Sequence, residues 1–472
     1  MKGRAGPPPR GVRALLAPLA RRQSLGRAGA LLALIRVAGL GCVFLLQVML
    51  ARLLGSPASY GSYAWGQSLL FLLGGVAALG MPVAAARLIA VLDDRGDVAL
   101  SARILTGARW NVAVAGLALL AAAALLALAM PDATPEGLSR AAIVVALAGA
   151  PAVAWMNLNQ HVARARGRLA TAALPVQVLR PLLTGLLVAL VGWQFGGTVE
   201  PMTCLGLLLA SILTVTLVQE RALHRKRPAG GDATRQNEDA YGPRQLLRIG
   251  LAVLSTRVAV LVMQYASTLL LGVLAGPAAA GAYFAATRLA ELAGVPGQVV
   301  SAVTQPLFAR SFANEPRPVL ERQVWSAMHL AFWPTLVTAG AFFLLSGPVL
   351  GLFGRDFAMA GPVLALLLLA RLVGASLGPS YDVLVMSGNQ RPLATMSAIG
   401  AVAHVALLLL LLPRFGALGA ALTECASTVL LGVCRAVVAR RRAGVRTTLF
   451  DAIDPRRRRH GEGAWPPVSD GG

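Results

Sequence analysis

Residues 36–64 read RVAGLGCVFLLQVMLARLLGSPASYGSYA, and residues 257–285 read RVAVLVMQYASTLLLGVLAGPAAAGAYFA. Both open on Arg-Val-Ala and run through an apolar stretch to a glycine 19 residues on, Gly55 in one and Gly276 in the other. Gly61-Ser62-Tyr63-Ala64 finds its echo in Gly281-Ala282-Tyr283-Phe284-Ala285, and Leu169-Ala170-Thr171 recurs as Leu393-Ala394-Thr395. The offsets of 221, 220 and 224 residues drift little over most of each half. An internal repeat in a hydrophobic chain points to two related bundles around a central cleft.

Composition sets the class. The mean hydropathy is +0.67, 56% of residues are apolar and 13% are charged, far from the balance of a soluble domain. A spanning helix needs about 20 mostly apolar residues. Twelve such stretches are expected at 28–54, 62–90, 107–130, 139–163, 169–193, 201–220, 246–274, 280–309, 324–346, 361–387, 393–413 and 416–439. The alternation of membrane strands is absent, so the fold class is all-α and polytopic. Residues 28–220 and 246–439 form two six-helix bundles, joined by a polar, basic, Gly-rich linker at 221–245 and flanked by basic tails at 1–27 and 440–472. An even number of helices per half makes them parallel repeats, related by an axis along the membrane normal.

A net charge of +23 raises the question of nucleic acid, but the positions of the charges answer it. Most of the 43 basic residues fall on one side: in both tails, in the central linker, and around Arg95, Arg103 and Arg109; Arg164, Arg166 and Arg168; Arg310, Arg317 and Arg322; and Arg391. The other side keeps Arg140, Arg355 and Arg414. Positive charge stays cytoplasmic on insertion, so topology accounts for the charge, no nucleic-acid partner is expected, and both termini are expected in the cytosol. The polar stretch before the first helix, and that helix's length, do not fit a cleaved signal. Cys42, Cys204, Cys425 and Cys434 read as small apolar fillers of helices. No HExxH, Walker loop or dinucleotide glycine pattern occurs, so no metal, cofactor or enzymatic activity is expected.

Deep charges are the candidate site, because a charge within the bilayer is costly. Arg36 and Arg257 head the first and seventh helices, roughly 10–14 Å in from the cytosolic edge at about 1.5 Å per residue. Arg257, Gln264 and Thr268 share a helix face, as do Arg36 and Gln47. Arg180, beside Pro181, is too deep to snorkel easily, whereas Arg52 and Arg87 near helix ends are expected to reach the headgroups. Arg288 and Glu291 are spaced to neutralise one another, although a paired carboxylate could also carry a coupling proton. Arg371 and Asp382 share a face at roughly 16 Å, too far to touch; Asp382 either faces the cleft or pairs with a loop arginine.

Five stretches in order carry a family resemblance. Ala51-Arg52-Leu53-Leu54-Gly55-Ser56-Pro57-Ala58-Ser59-Tyr60-Gly61-Ser62-Tyr63-Ala64 resembles the first-loop signature of bacterial polysaccharide and O-antigen flippases. These are lipid-linked oligosaccharide carriers of the multidrug/oligosaccharidyl-lipid/polysaccharide exporter superfamily. Leu79-Gly80-Met81-Pro82, Phe353-Gly354-Arg355-Asp356-Phe357-Ala358, Met386-Ser387-Gly388-Asn389-Gln390-Arg391-Pro392 and Leu412-Pro413-Arg414-Phe415-Gly416-Ala417-Leu418-Gly419-Ala420-Ala421 are similar in turn. The resemblance covers about residues 28–439; Thr423-Glu424 departs from it, since the family more often carries a small or uncharged residue there. It implies twelve helices and export of a polyprenyl-diphosphate-linked glycan to the outer leaflet of the bacterial inner membrane, with a polysaccharide polymerase and glycosyltransferases as pathway partners and membrane lipids around it.

The residues suit that cargo. Arginine stays charged and offers a planar donor fork to phosphate oxygens. Arg36 and Arg257, one per half, are expected to clamp the diphosphate, with Arg180, Gln47, Gln264 and Arg371 as further substrate contacts. Asp382, Glu291 and Glu424 are the candidates for ion coupling. Two other readings stay open: a cation-coupled small-molecule antiporter, which calls for carboxylates gathered in one lobe, and a non-transporting membrane scaffold.

Overall fold

The computed structural model describes residues 31, 34–129, 140–224, 242–314 and 317–448, and every regular element among them is helical. The expected N-terminal tail, residues 225–241 of the linker and the chain beyond residue 448 lie outside the described residues. The first half comprises α1 (Leu34–Leu54), α2 (Pro57–Ala77), α3 (Met81–Asp94), α4 (Val98–Ala129), α5 (Arg140–Ala165), α6 (Leu169–Gln194) and α7 (Pro201–His224). The second comprises α8 (Pro243–Leu274), α9 (Pro277–Ala293), α10 (Val295–Asn314), α11 (Arg317–Leu344), α12 (Gly361–Ser376), α13 (Ser380–Met386) and α14 (Gln390–Val438). Short turns at Ser346–Gly351 and Arg355–Ala360 join α11 to α12. Nine helices among the described residues are long and apolar enough to cross a bilayer, ten if α2 and α3 count as one bent span. The 49-residue α14 is twice the length a bilayer needs and breaks at Gly416, where φ is 53° and ψ −129°. The chain is a multi-pass membrane protein.

The repeat is written in the backbone as punctuation. Gly55 (φ +74°) ends α1 and Gly276 (φ +85°) follows α8, each in the left-handed region that glycine reaches without a Cβ clash. Prolines then open α2 and α9, where a missing N–H costs nothing. Ser56 caps α2, its hydroxyl accepting from the Ser59 amide at 3.1 Å.

Several expected spans differ in detail. The stretch 62–90 is two helices bent by 47°, with Leu79 (φ +49°) and Gly80 (φ +70°) at the bend. The stretches 280–309 and 361–387 break likewise, at Gly294 and at Leu377–Pro379. The span 169–193 widens into a π turn at Pro175–Leu179, where the proline removes a helix hydrogen bond. Arg103 and Arg109, placed in a loop from sequence, lie on α4, which starts at Val98.

The two halves touch at both ends: at one, Asn111 Nδ2 donates to the Pro243 carbonyl at 3.0 Å and Gly80 packs on the Gly250 carbonyl, and the broader seam lies at the other. Gly61 of α2 and Gly281 of α9 meet there reciprocally: a Cβ on Gly61 would lie 1.8 Å from the Pro277 carbonyl oxygen, and one on Gly281 would lie 2.1 Å from that of Pro57. Around this crossing, Tyr60 makes edge contacts with Phe284, Phe353 and Phe357 at 5.6–6.2 Å between centroids. Trp65 donates to the Leu269 carbonyl at 3.1 Å. A single core runs through both halves at this end, from Leu50 and Tyr63 to Tyr283 and Leu364. Toward the opposite end the cores separate, one around Met81 and Ile104 and another around Phe308 and Val383. The space between the two separated cores holds the site.

Candidate functional site

A cavity of about 760 Å³ lies between the halves. It reaches from Pro82 and His161 at one end to Gln47 and Phe284 beneath the joined end. Five arginines line it, Arg180 from α6, Arg257 from α8, Arg288 from α9, Arg371 from α12 and Arg435 from α14, against two glutamates, Glu291 and Glu424. Glutamine, serine and threonine side chains (Gln67, Ser68, Gln264, Gln298, Thr268, Thr287) fill the wall between the charges.

The arginines are held in place by aromatic faces. The Arg180 guanidinium sits 5.1 Å from the Phe71 ring centre, that of Arg288 4.3 Å from Phe284, and that of Arg435 5.4 Å from Tyr381. Phe71 in turn stacks on Tyr265 across the halves, with centroids 6.5 Å apart and planes 17° from parallel. Arg288 donates from Nη1 to Glu291 Oε2 at 2.7 Å, the pair its i, i+3 spacing foretold. Arg371 Nη2 stands 3.9 Å from Glu424 Oε1, an ion pair longer than a hydrogen bond. The Nε atoms of Arg288, Arg371 and Arg435 are buried with no hydrogen-bond partner in the protein. A buried guanidinium with an unpaired N–H keeps a hydrogen-bond donor in reserve.

Of the candidates read from sequence, Gln47, Arg180, Arg257, Gln264, Arg371, Glu291 and Glu424 all line this cavity. Gln47 is almost wholly buried and accepts from the Tyr60 hydroxyl at 3.0 Å. Arg36 lines a second cavity of about 370 Å³ with Asp382, and its Nε donates to Gln298 Oε1 at 3.1 Å. The two cavities adjoin, since Glu291, Gln298 and Arg371 line both; Arg36 and Arg257 stand on neighbouring parts of this space, with Gln47 on the central one. Among the described residues Asp382 pairs with no loop arginine: it accepts from Ser301 Oγ at 2.6 Å and Gln305 Nε2 at 2.9 Å.

Arg52, expected to reach the headgroups, instead donates to the Gly351 and Leu352 carbonyls of the other half, both at 2.7 Å, and so fastens the joined end. Arg87 reaches Gln390 across the halves at 3.4 Å. Sequence reasoning missed Arg435 as a cavity residue, yet the signal was there: it stands eleven residues after Glu424, on the same face of α14. His161 and Tyr265 also line the cavity and carried no such signal.

Comparison with known proteins fits this architecture. A family described as polysaccharide biosynthesis protein matches residues 25–312. No curated protein matches the sequence. The inward-facing conformation of a multidrug resistance MATE family transporter of the MOP superfamily superposes with a TM-score of 0.70 at 16% identity, over 87% of this chain and 98% of that one. The outward-facing conformation of a multidrug resistance MATE family transporter gives 0.62 at 16% identity, over 89% and 96%. The lipid II flippase MurJ in an inward closed conformation gives 0.66 at 11% identity, over 87% of each chain. With a family match over more than half of its length and a fold shared with MATE transporters and MurJ, the chain belongs to the polysaccharide biosynthesis protein family and carries the MOP-superfamily transporter fold.

Proposed function

We propose that this protein flips a polyprenyl-diphosphate-linked oligosaccharide from the cytosolic to the outer leaflet of the bacterial cell membrane, by alternating exposure of the central cavity. The observation that carries the reading is the surplus of arginine, five against two glutamates, in a cavity between two halves. A diphosphate is the part of such a lipid that resists a low-dielectric crossing, and fixed guanidinium groups replace its hydration shell. The polar wall around Gln67, Gln264 and Gln298 suits a hydrated glycan. A MurJ-like fold, named for a lipid II flippase, adds support from a relative that handles a lipid cargo.

Orientation follows from the arginine distribution, which puts both termini in the cytosol and the joined Gly61–Gly281 end at the outer surface. On that orientation the two separated cores face the cytosol, where Arg87–Gln390 and Asn111–Pro243 bridge the halves. The diphosphate would enter between the separated cores, settle among Arg180, Arg288 and Arg371, and leave once the outer seam opens.

One feature favours a cation-coupled antiporter: Glu291, Glu424 and Asp382 all come from the second half. Each glutamate already lies against an arginine, however, which leaves a free cation less to bind. Native mass spectrometry of the purified protein, beside an Arg180→Ala/Arg371→Ala double variant, separates the readings. A co-purifying diphosphate-linked lipid that the variant loses is the expected result. Retention of that lipid by the variant sinks the arginine seat, and binding of small cationic compounds without any such lipid favours the antiporter.

A further inference from the structure

Four charges from three helices of the second half meet in the central cavity: Arg288 and Glu291 on α9, Arg371 on α12 and Glu424 on α14. Together they sum to zero, so neither arginine is left unpaired in an empty cavity. The two pairs are unlike. Arg288 and Glu291 are committed, with a 2.7 Å bond and the guanidinium seated on Phe284 at 4.3 Å. Arg371 and Glu424 are loose, at 3.9 Å, and the aliphatic shaft of Arg371 packs on Gly294, which a Cβ would bring to 3.5 Å from its Cδ. Arg371 Nε is buried and partnerless as well. A guanidinium with one carboxylate beyond hydrogen-bond reach and one unsatisfied N–H is ready to change partners.

An anion that reaches Arg371 must lie against Glu424, and like charges at such separations repel strongly where water is scarce. Of the cavity's other cations, Arg288 is committed to Glu291, and none of Arg180, Arg257 and Arg435 forms an ion pair with Glu424. From α9 come Arg288, Glu291 and Tyr283, and from α12 Arg371 itself. From α8 come Arg257 and Tyr265, and along α14 lie Arg435 and Cys425. His404, also on α14, is fully buried between Ser267 and Ser427, at 3.2 and 2.9 Å, and is committed there.

We propose that Glu424 is a resident counter-ion which Arg371 exchanges for a phosphate oxygen of the cargo, and that Glu424 takes up one proton from the cytosol-facing water as it is released. The balance is simple. The guanidinium keeps its charge, its N–H donates to phosphate instead of facing carboxylate, and the carboxylate becomes a carboxylic acid. When the cargo leaves, the proton leaves and the ion pair re-forms. Binding is thereby coupled to protonation at Glu424. The inference rests on the diphosphate reading of the same cavity.

The test is isothermal titration calorimetry of the detergent-purified full chain with farnesyl-diphosphoryl-glucose, in buffers of different ionisation enthalpy. Each phosphorus of this probe carries one ester, one anhydride bond and a single strongly acidic hydroxyl, so both stay ionised from pH 6 to 8 and any proton taken up belongs to the protein. The expected uptake is about one proton per probe bound, with affinity falling about tenfold per pH unit over the range where Glu424 is ionised when empty and protonated when loaded. Glu424→Gln is expected to bind more tightly and without uptake, while Glu291→Gln keeps the uptake. Tight, pH-independent binding by the wild type with no proton taken up overturns the exchange but leaves the diphosphate reading standing. No binding by the wild type at any pH overturns the diphosphate reading, and the exchange with it. Uptake that persists in Glu424→Gln overturns the assignment to Glu424.

Discussion

Gly61 and Gly281 occupy matching places in the two repeats and touch each other across the seam, whereas Arg36 and Arg257, also repeat mates, line two adjoining cavities. The first pair belongs to the frame, where a duplicated backbone can be used symmetrically on the axis between the copies. The second pair belongs to the chemistry, which the copies have divided unequally. The first half sends one arginine, Arg180, into the central cavity, seated on Phe71. The second sends four arginines and both glutamates. Duplication therefore set the scaffold, and divergence within one copy set the charge.

The symmetric side of the comparison breaks most visibly. Gly61→Val places a side chain where a backbone oxygen already stands 1.8 Å from the would-be Cβ, and the opposing backbone cannot rotate aside. A loss of about 3 kcal/mol is expected, read as a fall in melting temperature in detergent, and Gly281→Val should match it. Unequal effects at the two positions would show that the seam is less reciprocal than its geometry. On the asymmetric side, Arg180→Ala and Arg371→Ala should each cut surface-glycan export about tenfold or more at unchanged membrane abundance, as expected for the loss of a charge-assisted bond of roughly 1.5–3 kcal/mol. Export assays in a flippase-deficient bacterial strain measure this.

Arg257→Ala and Arg36→Ala sharpen the contrast further. Arg257, on the central cavity, is expected to cost several-fold more activity than Arg36, whose guanidinium bonds to Gln298 beside the second cavity. Equal losses would support the two-arginine clamp suggested by the repeat. The smallest effect is reserved for Gly206→Ala on α7, where nothing lies within 4 Å of the added Cβ. Stability there should change by less than about 0.5 kcal/mol, or rise slightly through helix propensity.

Much of this was written in the sequence, because membrane helices announce their spans by length and their depth by the position of a charge. The helical class and the approximate places of the spans follow from those two rules, and the Arg288–Glu291 pair from its i, i+3 spacing. Azimuth was harder. Whether a deep arginine faces lipid, cleft or another helix depends on breaks that hydropathy does not register, such as the bend at Leu79–Gly80 and the turn at Leu377–Pro379. Arg52 illustrates the limit. Its place near a helix end suggested the headgroups, but the chain folds the Gly351–Leu352 carbonyls beneath it, and those contacts span some 300 residues of sequence. Asp382 likewise took its partners, Ser301 and Gln305, from a helix that no local spacing links to it.

The seam at Gly61 and Gly281 carries a mechanical consequence. Interfaces built from interdigitated side chains must unlock rotamer by rotamer before they slide. Here two helix backbones touch with nothing between them, so the contact resembles a bearing more than a zipper. If the halves rock during transport, one can roll against the other about that point while the contact itself persists, and the resistance to opening falls on the surrounding ring of Tyr60, Phe284, Phe353 and Phe357 and on the Arg52 bonds to Gly351 and Leu352. The fulcrum and the lock are thus separate parts, and each can be tuned without disturbing the other.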